Sequence, residues 1–297
     1  MAASGLFQLV LPVGFRVDDV LAYHGRDPLS RSERVTGATL AKALALPGRE
    51  RVLELAFQGG RVEARMEGPV EPELLSWLRQ CAVRMLGLQS DPGPFERSLA
   101  ADPAFQKLAG ARPGLRIPLT ADVWESLVWA ILGQQVNLAF AYSLRRRLSD
   151  LCGVDAGQGL RAHPAAAAVA ALEPADLLAL QFSRGKADYV IGAARKVVDG
   201  SLALESFPGL DPVAAGAALS AVRGIGPWTT HYVLMRGCGF PDCVPLGDAG
   251  LTLALQRHHG LDHRPTVKET AALMAPYAPF RSLATFHLWA SLKGVPA

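Results

Sequence analysis

The sequence predicts an α+β protein, in which an antiparallel sheet with packed helices precedes a part built of helices. Two alternating runs, Arg51–Phe57 and Arg61–Met66, flank a Gly-Gly turn, which is typical of a β-hairpin. The segment Asp91-Pro92-Gly93-Pro94 interrupts the pattern, and beyond it apolar residues recur mainly at helical spacing. We therefore expect two domains, 1–93 and 94–297.

The other elements of the first domain follow from shorter patterns. Phe7–Leu11 has strand character, and Val17–His24 favours a helix of one or two turns. Pro72–Leu86 predicts an amphipathic helix, because its apolar residues fall on one face. Thr36–Leu46 fits either a helix or a strand.

Composition sets the class of protein. Half of the 297 residues are hydrophobic, which indicates a globular chain. The net charge is only +3, so any binding of nucleic acid depends on local arrangement rather than on overall charge. The four cysteines are scattered and form no CxxC pair, which favours reduced thiols. No apolar run reaches membrane length, and no cationic segment precedes Leu6–Val13, so we expect a cytoplasmic protein without a membrane partner.

The most informative stretch is Leu219–Asp248. Its centre, Val222–Gly226, is predicted to be a tight turn between a helix over Pro212–Ala221 and a second helix that begins at Pro227. The two glycines permit a positive φ and leave backbone N–H groups uncovered, and the start of a helix attracts anions. This turn therefore suits a phosphate, although an ordinary turn in a helical core has the same spacing.

Polar and aromatic residues follow this turn. Asp248 comes 22 residues after Gly226, where it is a candidate catalytic carboxylate and equally a candidate N-cap for a helix over Ala249–Arg257. Trp228 and Tyr232 lie one helical turn apart and share a face. By periodicity alone they are core residues; a pocket for a base is the alternative.

The full pattern, L-x-x-V-x-G-I-G-P-W-T followed by P-x-x-D, resembles the helix-hairpin-helix DNA glycosylase superfamily. It is most similar to the bacterial alkylation-damage branch, 3-methyladenine DNA glycosylase II (AlkA type). The resemblance is strongest over 111–289 and faint before Leu88. It implies that 94–297 is an all-α helix-hairpin-helix glycosylase domain with two lobes around an active-site cleft. The closely spaced cysteines of the family's iron–sulfur relatives are absent here.

The resemblance also implies roles for individual residues. Asp248 is expected to be the catalytic carboxylate. The expected pocket for the flipped base is formed by Trp228, Tyr232, Trp289 and Tyr23. The expected DNA phosphate contacts are Gly224, Gly226 and Thr229. A monovalent cation, Na⁺ or K⁺, is expected on the backbone carbonyls of Ser220, Val222 and Ile225. The chemistry is expected to need no cofactor, and neither an iron–sulfur cluster nor zinc.

A second matching segment is A-I-L-G-Q-Q-V, residues 130–136. In the family it supplies the wedge, a side chain that fills the gap left by the flipped nucleotide. Gln134 and Gln135 lie here, and Gln135 takes the wedge position, where AlkA-type enzymes can place leucine. Judged by composition alone, two amides after an apolar helix are a solvated helix end.

The implied function is hydrolysis of the N-glycosidic bond of alkylated purines, of the 3-methyladenine and 7-methylguanine type, in duplex DNA. Family members that also cut the strand place a lysine where this chain has Trp228, so we expect a monofunctional enzyme. Two alternatives remain: a glycosylase for uracil, hypoxanthine or a mismatched base, and a non-catalytic DNA-binding module. A monomer is expected, associated with the nucleoid if the source is bacterial.

Three charged segments have weaker interpretations. Arg145-Arg146-Arg147 is expected to be a solvated face of its helix. The turn 183–187, with Lys186, resembles a family turn that contacts a phosphate. The histidines of 258–263 are expected to lie in a solvated loop rather than to bind zinc.

Overall fold

The structure is a computed structural model that describes residues 4–46 and 50–292. Within these residues, a five-stranded antiparallel sheet has the strand order β1-β5-β4-β3-β2. The strands are β1 Ser4–Val10, β2 Glu33–Thr36, β3 Thr39–Leu44, β4 Arg51–Gln58 and β5 Arg61–Met66. The predicted hairpin is confirmed, because β4 and β5 pair with Gln58 opposite Arg61.

Two helices cover this sheet, α1 (Val17–His24) and α2 (Pro72–Met85), both close to their predicted bounds. Val20 and Leu78 of these helices pack with Leu55 of β4 in one buried apolar cluster. The ambiguous segment 36–46 contains all of β3, in which Leu40 pairs with Leu55 of β4 across the sheet. Tertiary pairing therefore decided what local sequence left open.

The rest of the described chain is helical apart from one small ribbon, β6 (Asp155–Gly157) and β7 (Leu160–Arg161), which the sequence did not predict. The helices are α3 Gly93–Ser98, α4 Pro103–Gly110, α5 Val123–Gly133, α6 Leu138–Cys152, α7 Ala166–Ala170, α8 Pro174–Leu178, α9 Arg184–Val198, α10 Pro212–Ser220, α11 Pro227–Val233, α12 Ala249–His259, α13 Val267–Met274 and α14 Arg281–Ser291. Short 3₁₀ turns lie at Leu99–Ala101, Leu204–Gly209 and Ala275–Tyr277, and a π-helical turn at Leu234–Cys238.

The ribbon joins the two parts of the fold. Leu160 of β7 is buried against Ala41 and Ala43 of β3. The α+β prediction is confirmed, whereas the boundary at 93/94 remains a prediction, and its outer limits, 1 and 297, lie outside the described residues. No helix within 4–46 or 50–292 is long and apolar enough to cross a membrane.

The predicted turn between two helices is present. Helix α10 ends at Ser220, α11 begins at Pro227, and Gly224 between them has a φ of +87°. A Cβ on Gly224 would lie 2.2 Å from the ring of Tyr189 in α9. Two features therefore require glycine at this position: the positive φ and the close approach of the Tyr189 ring.

Candidate active site

Three hydrogen bonds fix the carboxylate of Asp248. As N-cap of α12, its Oδ1 accepts the backbone N–H of Leu251 at 2.7 Å. The indole N–H of Trp289 donates to Oδ1 at 2.9 Å, and the indole N–H of Trp228 donates to Oδ2 at 3.1 Å. All partners are donors, which matches the acceptor-only character of a carboxylate. The N-cap role of Asp248 is therefore confirmed, whereas its catalytic role remains a prediction.

This carboxylate lies on the wall of a cavity of about 610 Å³. The structure brings Tyr23, Trp228, Tyr232 and Trp289 to the same cavity, as the resemblance implied. Trp228 packs on Tyr232 with ring centroids 5.4 Å apart, and Tyr232 lies 6.3 Å from Trp289. Three further aromatic residues line the cavity and were not predicted from the sequence: Trp129, Tyr142 and Phe286.

The added aromatics extend the wall away from Asp248. Trp129 of α5 donates its indole N–H to the hydroxyl of Tyr232 at 2.8 Å. Tyr142 of α6 stacks on Trp129, with centroids 5.1 Å apart. Both residues are buried on their helices and have the pattern of core residues, so only tertiary structure reveals that they also face a cavity.

In the turn between α10 and α11, only the backbone N–H groups are arranged as expected for a phosphate site. Gly226 is the N-cap of α11, so the first N–H groups of that helix lack intrahelical partners. The side chain of Thr229 is only 2% exposed, and its hydroxyl accepts a hydrogen bond from the amide of Gln134. The hydroxyl of Thr229 is therefore used within the protein, and its expected contact with a DNA phosphate remains a prediction.

The carbonyls expected to hold a monovalent cation belong to this same turn. Val222 O accepts the N–H of Ile225 at 3.0 Å and keeps a second lone pair. The side-chain hydroxyls of Ser220 and Thr230 lie 3.1 Å apart and tie the two helices together. A set of neutral carbonyl oxygens suits Na⁺ or K⁺, so the donor chemistry fits the expected ion.

Comparison with known proteins identifies the family to which this chain belongs. A family model described as HhH-GPD superfamily base excision DNA repair protein matches residues 128–279, and a model of the AlkA N-terminal domain matches residues 7–122. The chain belongs to the HhH-GPD superfamily of base excision DNA repair proteins.

Individual relatives agree. A Bacillus subtilis (strain 168) protein named DNA-3-methyladenine glycosylase is 35% identical over 228 residues, 74% of each chain. An Escherichia coli (strain K12) protein named DNA-3-methyladenine glycosylase 2 is 32% identical over 223 residues, 74% of this chain and 72% of that one. A solved structure, a 3-methyladenine DNA-glycosylase from Archaeoglobus fulgidus, has a TM-score of 0.85 at 21% identity and covers 97% of this chain and 98% of its own. The last comparison supports the fold alone.

In this HhH-GPD protein, arginines share the cavity with the aromatic residues. Arg236, in the π-helical turn, is 1% exposed; its guanidinium carbon lies 4.2 Å from the ring centroid of Tyr23 and 5.3 Å from that of Phe286. Arg26 lies 3.8 Å from the same Tyr23 centroid. Burial raises the pKa of Tyr23, but the two guanidiniums, Arg236 first, outweigh it and leave that pKa below its ordinary value. One sequence signal was available: Arg236 is a lone charge in an apolar helical run.

The two glutamines of the expected wedge differ in environment. The amide of Gln134 donates to Gly224 O and to the hydroxyl of Thr229, both at 2.9 Å, so its donors are used within the protein. Gln135 is exposed on the loop after α5 and has a φ of +54°. Of the two, Gln135 is thus the side chain free to enter a duplex, and its role remains a prediction.

Two charged residues are more buried than their sequence context indicates. Lys186 donates to Ile131 O at 3.0 Å and Gln134 O at 2.6 Å, and the phosphate contact of the turn 183–187 remains a prediction. Burial lowers the pKa of Lys186 to about 8. Arg145 is buried rather than solvated, because Asp27 and the ring of Trp129 attract it. Local sequence could not reveal either partner, since both are distant along the chain.

The expected solvated loop at 258–263 is wrong in part, because His258 and His259 are the last two residues of α12. His263 lies 2.6 Å from the carboxylate of Asp262 and 3.3 Å from that of Glu269. His258 packs edge-on against Phe105. In the part of the chain that the structure describes, no three His, Cys, Asp or Glu side chains form a group that could hold a metal ion.

Proposed function

We propose that this protein is a monofunctional DNA glycosylase that flips alkylated purines, of the 3-methyladenine and 7-methylguanine type, out of duplex DNA and hydrolyses their glycosidic bond. The observation that carries the proposal is the carboxylate of Asp248, held by the indoles of Trp228 and Trp289 in an aromatic cavity. Binding of DNA alone requires neither. The names of the Bacillus subtilis and Escherichia coli relatives support the choice of lesion.

The reaction needs little from the protein besides position and charge. Alkylation at N3 or N7 makes the purine a cationic leaving group, so the electrons of the C1′–N bond pass to the base without a strong general acid. The sugar then carries oxocarbenium character, as in glycoside hydrolysis. Asp248 stabilises this charge and accepts a proton from the water that attacks C1′. The two indole N–H groups keep its oxygens in place.

Absence of strand cleavage forms part of the proposal. A glycosylase that cleaves the strand through a Schiff base needs an amine at the sugar, and Trp228 has none. No lysine occurs among the described residues that line the cavity. We expect no covalent complex with abasic DNA after borohydride treatment, and a trapped complex would overturn this part.

DNA binding is proposed to come from the turn between α10 and α11. The side chain of Gln135 is proposed to insert into the base stack of the duplex. The N–H groups of Gly226 and Thr229 would meet a phosphate, and a Na⁺ or K⁺ ion on the carbonyls of that turn would add positive charge there. Neither group takes part in the chemistry. The partner is duplex DNA, bound by a monomer.

The deciding experiment measures release of 3-methyladenine and 7-methylguanine from methylated duplex DNA by the wild type and by Asp248→Asn. Asparagine also caps helices, so α12 keeps its N-cap in this variant. Asp211→Asn is the matched control, because Asp211 caps α10 outside the cavity. We expect release to fall by roughly 10³-fold or more in Asp248→Asn and to remain unchanged in the control, with DNA affinity kept in both.

Other outcomes are equally informative. A wild type that binds DNA but frees no methylated, deaminated or mismatched base would make the protein a DNA-binding module. An active Asp248→Asn would remove the catalytic role from this carboxylate. A neutral lesion such as hypoxanthine is the second candidate substrate, and it is favoured by the two guanidiniums in the cavity wall.

A further inference from the structure

Arg26 is a cation of the cavity wall that has no acceptor among the described residues. It lies two residues beyond α1, and its guanidinium carbon is 3.8 Å from the ring centroid of Tyr23 and 5.5 Å from that of Trp129. In residues 4–46 and 50–292, no hydrogen bond or ion pair engages this guanidinium. Arginine always carries its charge and presents up to five N–H donors. Arg26 is half-buried, so water meets its donors in the free protein, and a base that displaces this water must offer acceptors in its place.

The groups around Arg26 lack acceptors as well. The hydroxyl of Tyr142, a residue only 7% exposed on the same wall, has no hydrogen-bond partner among the described residues. The same holds for Nη1 and Nη2 of Arg236, which contacts Tyr23 together with Arg26. This end of the cavity therefore offers two donor-only guanidiniums and the Tyr142 hydroxyl, which can donate or accept. Among the described residues, no carboxylate forms an ion pair with either guanidinium.

The position of this cluster relative to Asp248 suggests which part of a base it meets. A series of contacts leads from Asp248 through Trp228 and Tyr232 to Trp129, against which both Arg26 and Tyr142 lie. The glycosidic bond must sit beside Asp248. A purine lying along this wall therefore directs the edge opposite its sugar, which carries the 6-substituent, toward Arg26.

We propose that Arg26 contacts the 6-position of the flipped base and makes the site favour 6-oxo over 6-amino purines. This inference rests on the proposed function and specifies its substrate class. A 6-oxo group accepts the N–H donors of the guanidinium, as guanine does when arginine reads it in DNA. A 6-amino group places N–H against N–H beside a fixed positive charge, which leaves the donors of Arg26 unpaired.

The first test compares two lesions within one substrate. Methylated DNA contains 3-methyladenine, a 6-amino purine, and 7-methylguanine, a 6-oxo purine, and both are quantified from the same reaction. The ratio of their release rates in a variant, divided by the wild-type ratio, cancels differences in leaving group and in DNA affinity. In Arg26→Met we expect the ratio of 3-methyladenine to 7-methylguanine to rise by roughly tenfold.

Two further variants make this test decisive. Arg26→Gln replaces a donor-only group with one that donates and accepts, so the ratio should rise here too, even if the methionine variant folds poorly. Arg112→Met is the matched control, because Arg112 lines the same cavity but its guanidinium is paired with Asp19 at 2.7 Å. Its ratio should equal that of the wild type. An unchanged ratio in both Arg26 variants would overturn the proposal.

A binding measurement separates this inference from the proposed function. Hypoxanthine and adenine differ in the 6-substituent and in N1 beside it, which carries a proton in hypoxanthine and none in adenine. Trp129, Trp228 and Trp289 line the cavity, so tryptophan fluorescence reports binding of either free base. We expect the wild type to bind hypoxanthine at least several-fold more tightly than adenine, and Arg26→Gln to lose the difference. If the wild type frees no base yet shows this preference, the proposed function fails and the inference stands. Equal binding of the two bases by the wild type would overturn the inference even if the enzyme is active.

Discussion

Lys42 of β3 and Glu125 of α5 form a buried ion pair between the sheet and the helical part of the chain. The ammonium of Lys42 lies 2.6 and 2.8 Å from the two oxygens of Glu125, and 2.9 Å from Glu33. Lys42 is 1% exposed and Glu125 is 2% exposed. Because α5 also carries Trp129, this pair fixes one wall of the cavity relative to the sheet.

Loss of one partner should therefore be costly. We expect Lys42→Met to lower the free energy of unfolding by about 3–5 kcal/mol, because Glu125 would remain buried without its cation. The double variant Lys42→Met with Glu125→Leu should recover part of this loss, because Glu33 still lacks Lys42. Urea unfolding of the two variants checks the prediction, and a cost below about 1 kcal/mol for the single change would contradict it.

His287 should make stability depend on pH. It is 1% exposed, stacks near Phe95, and neither ring nitrogen has a partner among the described residues. Burial lowers the pKa of His287 to about 4. The unfolded chain therefore binds this proton first as the pH falls, so stability contributed by the neutral ring is complete above about 6.5 and declines from there toward pH 4.

The whole effect is on the order of 3 kcal/mol near pH 4. Unfolding of the wild type and of His287→Leu should be measured at several values between pH 7 and 4. The leucine variant should lose less stability over this interval than the wild type. Parallel pH profiles for the two proteins would show that His287 does not titrate as expected.

The indole N–H of Trp289 should contribute to turnover apart from its ring. Trp289→Phe keeps an aromatic face and removes the donor to Asp248, so the carboxylate is held by fewer bonds. We expect the single-turnover rate of base release to fall by roughly tenfold, with DNA affinity unchanged. Trp228→Phe should act in the same way. Full activity of the variant lacking both N–H groups would mean that they do not position Asp248.

Gly224 should tolerate no side chain. Gly224→Ala requires a φ of +87° from alanine and drives its Cβ into the ring of Tyr189, so we expect weaker binding of duplex DNA and lower stability by about 1–3 kcal/mol. Gly216→Ala is the control, because Gly216 lies within α10 and the nearest side-chain atom to a new Cβ is 3.5 Å away. That variant should gain up to about 1 kcal/mol. Equal DNA affinity in both variants would contradict the role of the turn.

Much of the fold was accessible from the sequence because local periodicity encodes it. Alternation predicted β4 and β5, 3–4 spacing predicted α2, and the Gly/Pro pattern predicted the turn between α10 and α11. Segment 36–46 was ambiguous because its local pattern fits two structures, and only pairing with β4 resolves it. The β6–β7 ribbon is too short to leave a periodic signal.

The candidate site, like the fold, was predictable from the sequence only in part. Sequence alone provided the order of residues around the turn, from Gly224 to Asp248, because that geometry depends on neighbours along the chain. Only the tertiary structure showed that Tyr142, Arg26 and Arg236 share a cavity with Asp248. Residues on four separate elements meet there through packing and charge, and these contacts act across distances in sequence that no local pattern records.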